Sequence, residues 1–228
     1  HPEQRVVIAT VATLADACDA DPVEAPALVV VGDVVALRER LTACRLIGIP
    51  KPDGGIRPIA LGDLFLKIAA SLALLAASDM LKDTFRGLQF GCCYEGGAEH
   101  IVHTARAFVR AATGDEVVVT VDCRNAFNSP SRQAMWTAAR CIPQLRNLFG
   151  LEYSTASALF PCGTTAMLRS RSGSRQGSAS GPVFFSLAIH DALRATSEQV
   201  EGVKVMAYLD DVTILAASPA LAQRATRT

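Results

Sequence analysis

The sequence predicts a mixed α+β fold with strands supplied from distant segments. Three observations carry this prediction. Val117-Val118-Val119-Thr120-Val121 is a β-branched run with the composition of a buried strand. Val203 to Ala216 has two apolar arms around Asp210-Asp211, the pattern of a β-hairpin with a two-acid turn. Long apolar segments follow helix-start signals at Gly62-Asp63 and at Gly181-Pro182.

Taken in order, residues 1–33 are rich in Ala and Val and fit helix or strand, and Val34 to Cys44 predicts a helix. Arg45 to Pro50 is a short apolar run that meets Lys51-Pro52-Asp53-Gly54-Gly55, a strong turn signal. Ile56 to Leu61 returns as a second apolar run, so the segment predicts strand–turn–strand, with Pro58 suited to an edge strand. Asp63 is placed to cap a helix running to about Lys82. Within it, Leu64 to Ala77 is too short to span a bilayer and predicts a core helix. A further helix is expected from Glu95 or Gly96 to Ala112, broken by Thr113-Gly114-Asp115. Ser129-Pro130 opens a helix to about Arg140, and Gly181-Pro182 one to about Gln199.

Half of the 228 residues are hydrophobic, enough for a buried core and contrary to disorder. The net charge is zero, from 22 basic and 22 acidic residues, which counts against a strongly basic nucleic-acid footprint. Arg169, Arg171 and Arg175 nevertheless fall close together with no acid among them. The seven cysteines include no Cys-x-x-Cys pair, so no zinc signature is present. No secretory leader is visible, and reduced thiols in an intracellular protein are expected. His100, His103, His190 and Trp136 have no ligand partners at metal spacing and are expected to be structural. The opening at His1 and the close at Thr228, soon after a strand-like run, lead to the expectation of a piece of a longer protein.

The carboxylates are the chemically distinctive feature. The strand from Val117 ends in Asp122, and the hairpin sets Asp210 and Asp211 at a strand end. Two such strands side by side would gather three carboxylates. Clustered carboxylates repel and call for a cation; hard divalent ions such as Mg²⁺ prefer oxygen ligands and substrate phosphates. Two ions about 3.5–4 Å apart can stabilise the attacking and leaving oxygens of a phosphoryl displacement, the chemistry of nucleotide addition. Each aspartate alone is equally good turn chemistry.

Tyr208-Leu209-Asp210-Asp211 between apolar arms resembles the Tyr-x-Asp-Asp hairpin of reverse transcriptases. Val121-Asp122-Cys123-Arg124-Asn125-Ala126-Phe127-Asn128-Ser129 resembles that family's first catalytic motif. Ser174-Arg175-Gln176-Gly177-Ser178-Ala179-Ser180-Gly181-Pro182 is similar to its Gln-Gly-x-x-x-Gly-Pro segment. Ile49 to Ile59 resembles its basic fingers hairpin. The four occur in the family's order and span Ile49 to Leu215. Gly87-Leu88-Gln89-Phe90-Gly91 and Arg124 to Ser129 look like site-specific non-LTR retrotransposons of the spliced-leader-associated type.

The resemblance implies a right-hand-like polymerase core of fingers and palm, with an antiparallel palm sheet backed by helices and the thumb missing. It divides the chain into an N-terminal helical extension (1–44), a fingers-like region with the basic hairpin (45–115) and a palm (116–228), whose 171–182 loop contributes to the nucleotide site. It implies that Asp122 and Asp210 ligate two Mg²⁺ or Mn²⁺ ions, with Asp211 as a supporting ligand. Lys51 and Arg57 would reach the triphosphate, one as a point charge and one as a bidentate fork. Phe127 would lie under the sugar and exclude a 2′-hydroxyl by clash. Gln176 and Gly177 would sit over the nucleotide, and Arg169, Arg171 and Arg175 would contact template or primer. The implied function is RNA-directed DNA synthesis for retrotransposition. Its partners would be an RNA template, a DNA primer and deoxynucleoside triphosphates, with no membrane and a nuclear location. Oligomeric state is left open. Ser178 departs from the Asp that this group often carries after Gln-Gly, which raises the alternative of a decayed, binding-only copy. An RNA-dependent RNA polymerase is the nearer rival, but it usually has Gly before its paired acids, and Phe127 favours deoxynucleotides.

Overall fold

The computed structural model describes residues 7, 9–10, 12–22, 34–52 and 54–227. Most of the expectation for residues 1–33, and Asp53 of the hairpin turn, lie outside the described residues. Chain order is α1 (Leu14–Ala20), α2 (Val34–Thr42), β1 (Cys44–Pro50), β2 (Ile56–Leu61), α3 (Leu64–Ala76), α4 (Ser78–Phe85), α5 (Gly97–Ala111), β3 (Val117–Asp122) and a 3-10 turn at Ala126–Asn128. It continues with α6 (Arg132–Ala139), α7 (Pro143–Tyr153), β4 (Ser157–Pro161), β5 (Leu168–Ser170), α8 (Gly181–Gln199), β6 (Val203–Tyr208), β7 (Asp211–Ala216) and α9 (Pro219–Ala225).

The strands form two sheets, ordered β2-β1-β4-β5 and β3-β7-β6. In the first, β1 pairs antiparallel with β2 and parallel with β4, and Pro58 lies on the edge strand as expected, opposite Gly48. The second is antiparallel throughout and carries the acidic residues. The two-residue alternation of a strand sorts its side chains between two helical layers. Val205, Ala207, Val212 and Ile214 pack with Leu193 and Val200 of the α8 side and with Ala225 of α9. Met206 and Leu215 point the other way, to Phe90 and to Ile101, Ala105 and Phe108 of α5. The run from Val117 is therefore half-buried rather than buried: β3 is an edge strand with alternating exposure, and Val119 and Val121 supply its packed face.

Asp63 caps α3, accepting the Phe65 N–H at 2.8 Å. The helix does not run on to Lys82. It breaks at Ala77 into α3 and α4, bent by 65°. Nor is α3 wholly a core helix: Leu66 and Ala70 are buried, whereas Leu64, Phe65, Ile68, Leu72 and Leu75 are exposed. Among the described residues no single helix is long and apolar enough to cross a membrane. The helix after Ser129-Pro130 starts two residues later than expected because Ser131, not Ser129, is its cap, accepting the Ala134 N–H. Helix α8 spans Gly181–Gln199, as the Gly-Pro signal predicts.

The largest core joins α3, α4, α6, α7 and α8. Phe184 is at its centre, fully buried and edge-on to both Phe149 and Tyr153 with centroids at 5.4 Å. Trp136 packs on Phe149, His190 on Phe85 and His100 on Phe90, the structural roles expected of them. All seven cysteines are free thiols. Burial pushes the Cys92 thiol up to about 11, so it stays protonated and inert at neutral pH. Truncation of Phe184 to Ala is expected to cost about 3–5 kcal/mol of stability through lost burial and the residual cavity, read as a lower midpoint in urea-induced unfolding.

Candidate active site

The site forms where β3 and β7 end together. Their register sets Asp122 directly opposite Asp211, so both side chains fall on one face of the sheet. Tyr208 is opposite Asp211 on the other neighbour, β6. The turn is therefore Leu209-Asp210, not Asp210-Asp211 as the sequence suggests, and Asp211 belongs to a strand. A two-residue hairpin connection needs positive φ at its first central residue, usually a glycine. Here Leu209 takes that place at φ 56°, a conformation costing about 1–3 kcal/mol for a side chain of this kind.

Asp122 and Asp211 are exposed and Asp210 is half-buried. Their negative potential converges on the neighbouring Cys123, whose thiol is pushed up first by burial and then by Asp210, Asp122 and Asp211. The described residues include no group of three His, Cys, Asp or Glu side chains drawn together closely enough to hold a metal ion. The three carboxylates share one sheet end without closing on a common point. As an all-oxygen, acidic donor set they match the preference of Mg²⁺ or Mn²⁺ rather than of a soft metal.

Phe127 is buried beneath this edge, stacked on Phe185 at 4.7 Å in a cluster that also takes in Cys123 and Leu209. The backbone after β3 is turned by Asn125 at φ 54° into the 3-10 turn that presents Phe127. The Phe127 carbonyl in turn accepts the Ser174 N–H at 2.7 Å, tying the 171–182 loop to the aspartate strand.

That loop bridges the two sheets. The Gln176 carbonyl accepts the Ala60 N–H of β2 at 2.7 Å. Gly177, at φ 101°, lies so close that a Cβ there would be 2.6 Å from the Ala60 carbonyl oxygen. The Gln176 side-chain oxygen is buried and has no hydrogen-bond partner. Lys51 and Arg57 are exposed on the β1–β2 hairpin, on the other sheet from the aspartates. The loop is thus tied to β2 through Gln176-Gly177 and to the turn after β3 through Ser174. A depression of about 400 Å³ beside β1 and β4, lined by Ala43, Cys44, Arg45 and residues 160–163, includes none of these site residues.

Arg169 and Arg171 are exposed, and Arg169 donates to the Ala156 carbonyl. Arg175 corrects the expectation that it contacts nucleic acid. Only 5% of it is exposed. Its guanidinium pairs with buried Glu152 at 3.4 Å, donates to the Thr42 carbonyl at 2.9 Å and lies over the Tyr153 ring. It is the anchor of the loop, not a surface cation. Glu152, which sequence reasoning did not single out, also accepts from Ser180 at 2.6 Å and Ser178 at 3.2 Å. The one available signal was an acid between Leu151 and Tyr153 in an otherwise apolar stretch. Gln89, part of the Gly87–Gly91 resemblance but given no role by the sequence, is a second such residue; the Leu209 N–H donates to its side chain at 2.7 Å.

Ser178 therefore suits its surroundings: an aspartate would set a second carboxylate against buried Glu152. Ser178→Asp is expected to lower stability by about 2 kcal/mol or more, and Ser178→Asn, which adds no second charge beside Glu152, to lower it by less. Denaturant midpoints of the two variants and the parent measure this.

Residues 49–228 match the family model described as reverse transcriptase (RNA-dependent DNA polymerase). Over 186 residues the chain is 31% identical to the retrotransposable element SLACS 132 kDa protein of Trypanosoma brucei gambiense, an alignment covering 78% of this chain and 15% of that protein. The structure is similar to telomerase from Candida albicans in complex with a TWJ fragment of telomeric RNA (TM-score 0.62, 10% identity, 84% of this chain and 39% of that one). It is also similar to apo telomerase from Candida tropicalis (TM-score 0.62, 10% identity, 88% and 43%). At such identities the telomerases share the fold alone, and the chain spans less than half of each and a small part of the SLACS protein. With the Tyr-Leu-Asp-Asp hairpin, Asp122 and the Gln176-Gly177 loop all inside the matched residues, the chain belongs to the reverse transcriptase family.

Proposed function

We propose that this chain is the nucleotide-adding part of an RNA-directed DNA polymerase serving retrotransposition. It would extend a DNA primer on an RNA template with deoxynucleoside triphosphates, in the nucleus. The observation that carries the reading is the pairing of Asp122 with Asp211 beside the Leu209-Asp210 turn. It gathers three carboxylates at a sheet edge with no basic side chain among their strand partners.

Asp122 and Asp210, supported by Asp211, would hold two divalent cations. When bound, the ions neutralise charge on the triphosphate and on the attacking and leaving oxygens. The protein's own contribution is positioning. Lys51 and Arg57 extend from the hairpin as cations for the phosphates. Gln176 and Gly177 would sit over the nucleotide, with Gly177 packed on the Ala60 carbonyl of β2 so that the loop backbone is fixed there. Phe127, fixed by Phe185, provides a rigid surface that a ribose 2′-hydroxyl would strike. Residues 45–115 would act as fingers and 116–228 as palm, with the 1–44 segment as an extension. Arg169 and Arg171 remain available to a template or primer backbone.

A binding-only relic is the competing reading; of the features that favour it, Ser178 is accounted for by Glu152. The two readings part in a primer-extension assay with Mg²⁺, an RNA template and either deoxynucleotides or ribonucleotides. Deoxynucleotide extension that falls by a factor on the order of 10³ in Asp210→Asn is the expected outcome. Equal extension by that variant, or preferential use of ribonucleotides by the parent, contradicts the proposal. Phe127→Ala is expected to admit ribonucleotides, raising their kcat/KM about tenfold or more relative to deoxynucleotides. Arg57→Ala is expected to raise KM for the nucleotide about tenfold while leaving kcat nearly unchanged; steady-state kinetics with varied nucleotide checks both.

A further inference from the structure

The hairpin turn carries a local conflict that its own sequence does not resolve. Leu209 holds a backbone conformation that glycine ordinarily fills, at φ 56°. What holds it is Gln89, far upstream and fully buried. The Gln89 Oε1 accepts the Leu209 N–H at 2.7 Å and the Gly91 N–H at 3.0 Å. Its Nε2 donates to the Leu209 carbonyl at 3.2 Å. One side-chain amide thus takes both backbone polar groups of the strained residue.

The segment around Gln89 is itself fixed to β6. Phe90 N–H donates to the Ala207 carbonyl and Ala207 N–H to the Leu88 carbonyl, each at 2.7 Å, as a short parallel bridge. Phe90 is buried against Met206 and Leu215. Gly91 closes on the turn so tightly that a Cβ would lie 2.6 Å from the Leu209 nitrogen. The clamp is therefore a rigid element docked beside the turn, not a mobile side chain that happens to reach it.

We propose that Gln89 is a positioning residue of the polymerase site: by gripping both backbone groups of Leu209 it sets where Asp210 and Asp211 present their carboxylates to cations. The proposal rests on the polymerase reading above. Glutamine suits the task because its amide donates and accepts from one plane. Ionised glutamate lacks the donor, and methionine of similar length lacks both. In a buried location water cannot replace the lost partners.

Gln89→Met and Gln89→Glu test this with two readouts. The first is amide hydrogen exchange, read residue by residue by NMR and independent of activity. In Gln89→Met the Leu209 amide is expected to exchange at least about tenfold faster, while the Ala207 and Phe90 amides, held by backbone partners, keep their protection. The second is the Mg²⁺ concentration for half-maximal primer extension, expected to rise about tenfold in Gln89→Met. A loss of folded protein alone would lower the rate without moving that concentration. Gln89→Glu keeps the acceptor but, while ionised, sets a buried charge against the Leu209 carbonyl, so its defect depends on pH. That defect should shrink at lower pH, where a neutral carboxyl regains a proton to donate to the Leu209 carbonyl. If Gln89→Met does not fold, Gln89→Glu carries both readouts. Parental Leu209 exchange, or parental Mg²⁺ dependence, in a folded variant overturns the proposal. A parent that extends no primer while the variant loses Leu209 protection sinks the polymerase reading and leaves the clamp standing.

Discussion

The antiparallel pairing of Val117–Asp122 with Asp211–Ala216 is the constraint on which the rest of the site depends. It closes a loop of many residues to set two acids opposite one another, a costly contact entropically. Apolar burial offsets that cost. Val119 and Val121 of one strand and Val212 and Ile214 of the other share the core under α8, while Leu215 packs toward α5. A register slip by one residue would turn the aspartates to the opposite face and the valines out of the core. The packed residues along the strands therefore specify the position of the charged ones at their ends.

Carboxylates held at an edge by an apolar sheet repel each other, and the fold supplies no nearby cation on their strands. It supplies instead rigid backbone on either side. The 171–182 loop binds the Phe127 carbonyl through Ser174 and the β2 strand through Gln176. Its base is held by the Arg175–Glu152 pair, both partners almost wholly buried. Such a pair is not strong evidence of stability, since desolvation offsets much of its attraction. Its effect here is one of specificity: Arg175 reaches the Thr42 carbonyl and Cys44, and Glu152 reaches Ser178 and Ser180, so α2, β1, α7 and the loop meet in one arrangement. The Gln89 amide does the same for the Leu209 turn.

Both buried polar clusters escaped sequence reasoning for the same reason. A charged or amide side chain in a linear sequence carries no mark of whether it will be solvated. Arg175, grouped with Arg169 and Arg171 by spacing, differs from them because Glu152 and Tyr153 of α7 meet it in the interior. The short strands β4 and β5 were also missed, because Ser157–Pro161 and Leu168–Ser170 are held by neighbours β1 and each other rather than by a period of their own.

The local signals were sufficient where physics is local. Asp63 as a helix cap, Gly181-Pro182 as a helix start, Lys51 to Gly55 as a turn and the β-branched run from Val117 as a strand were all legible, because each rests on neighbours within a few residues. The sequence alone also determined which acids are candidates, through their place at the ends of apolar runs. Only the tertiary structure decided that Asp211 rather than Asp210 is the strand partner of Asp122, that Arg175 is a buried anchor, and that Leu209 is held by Gln89. Those outcomes depend on which distant groups meet in a low-dielectric interior, where an unpaired polar group is costly and a paired one can define the geometry.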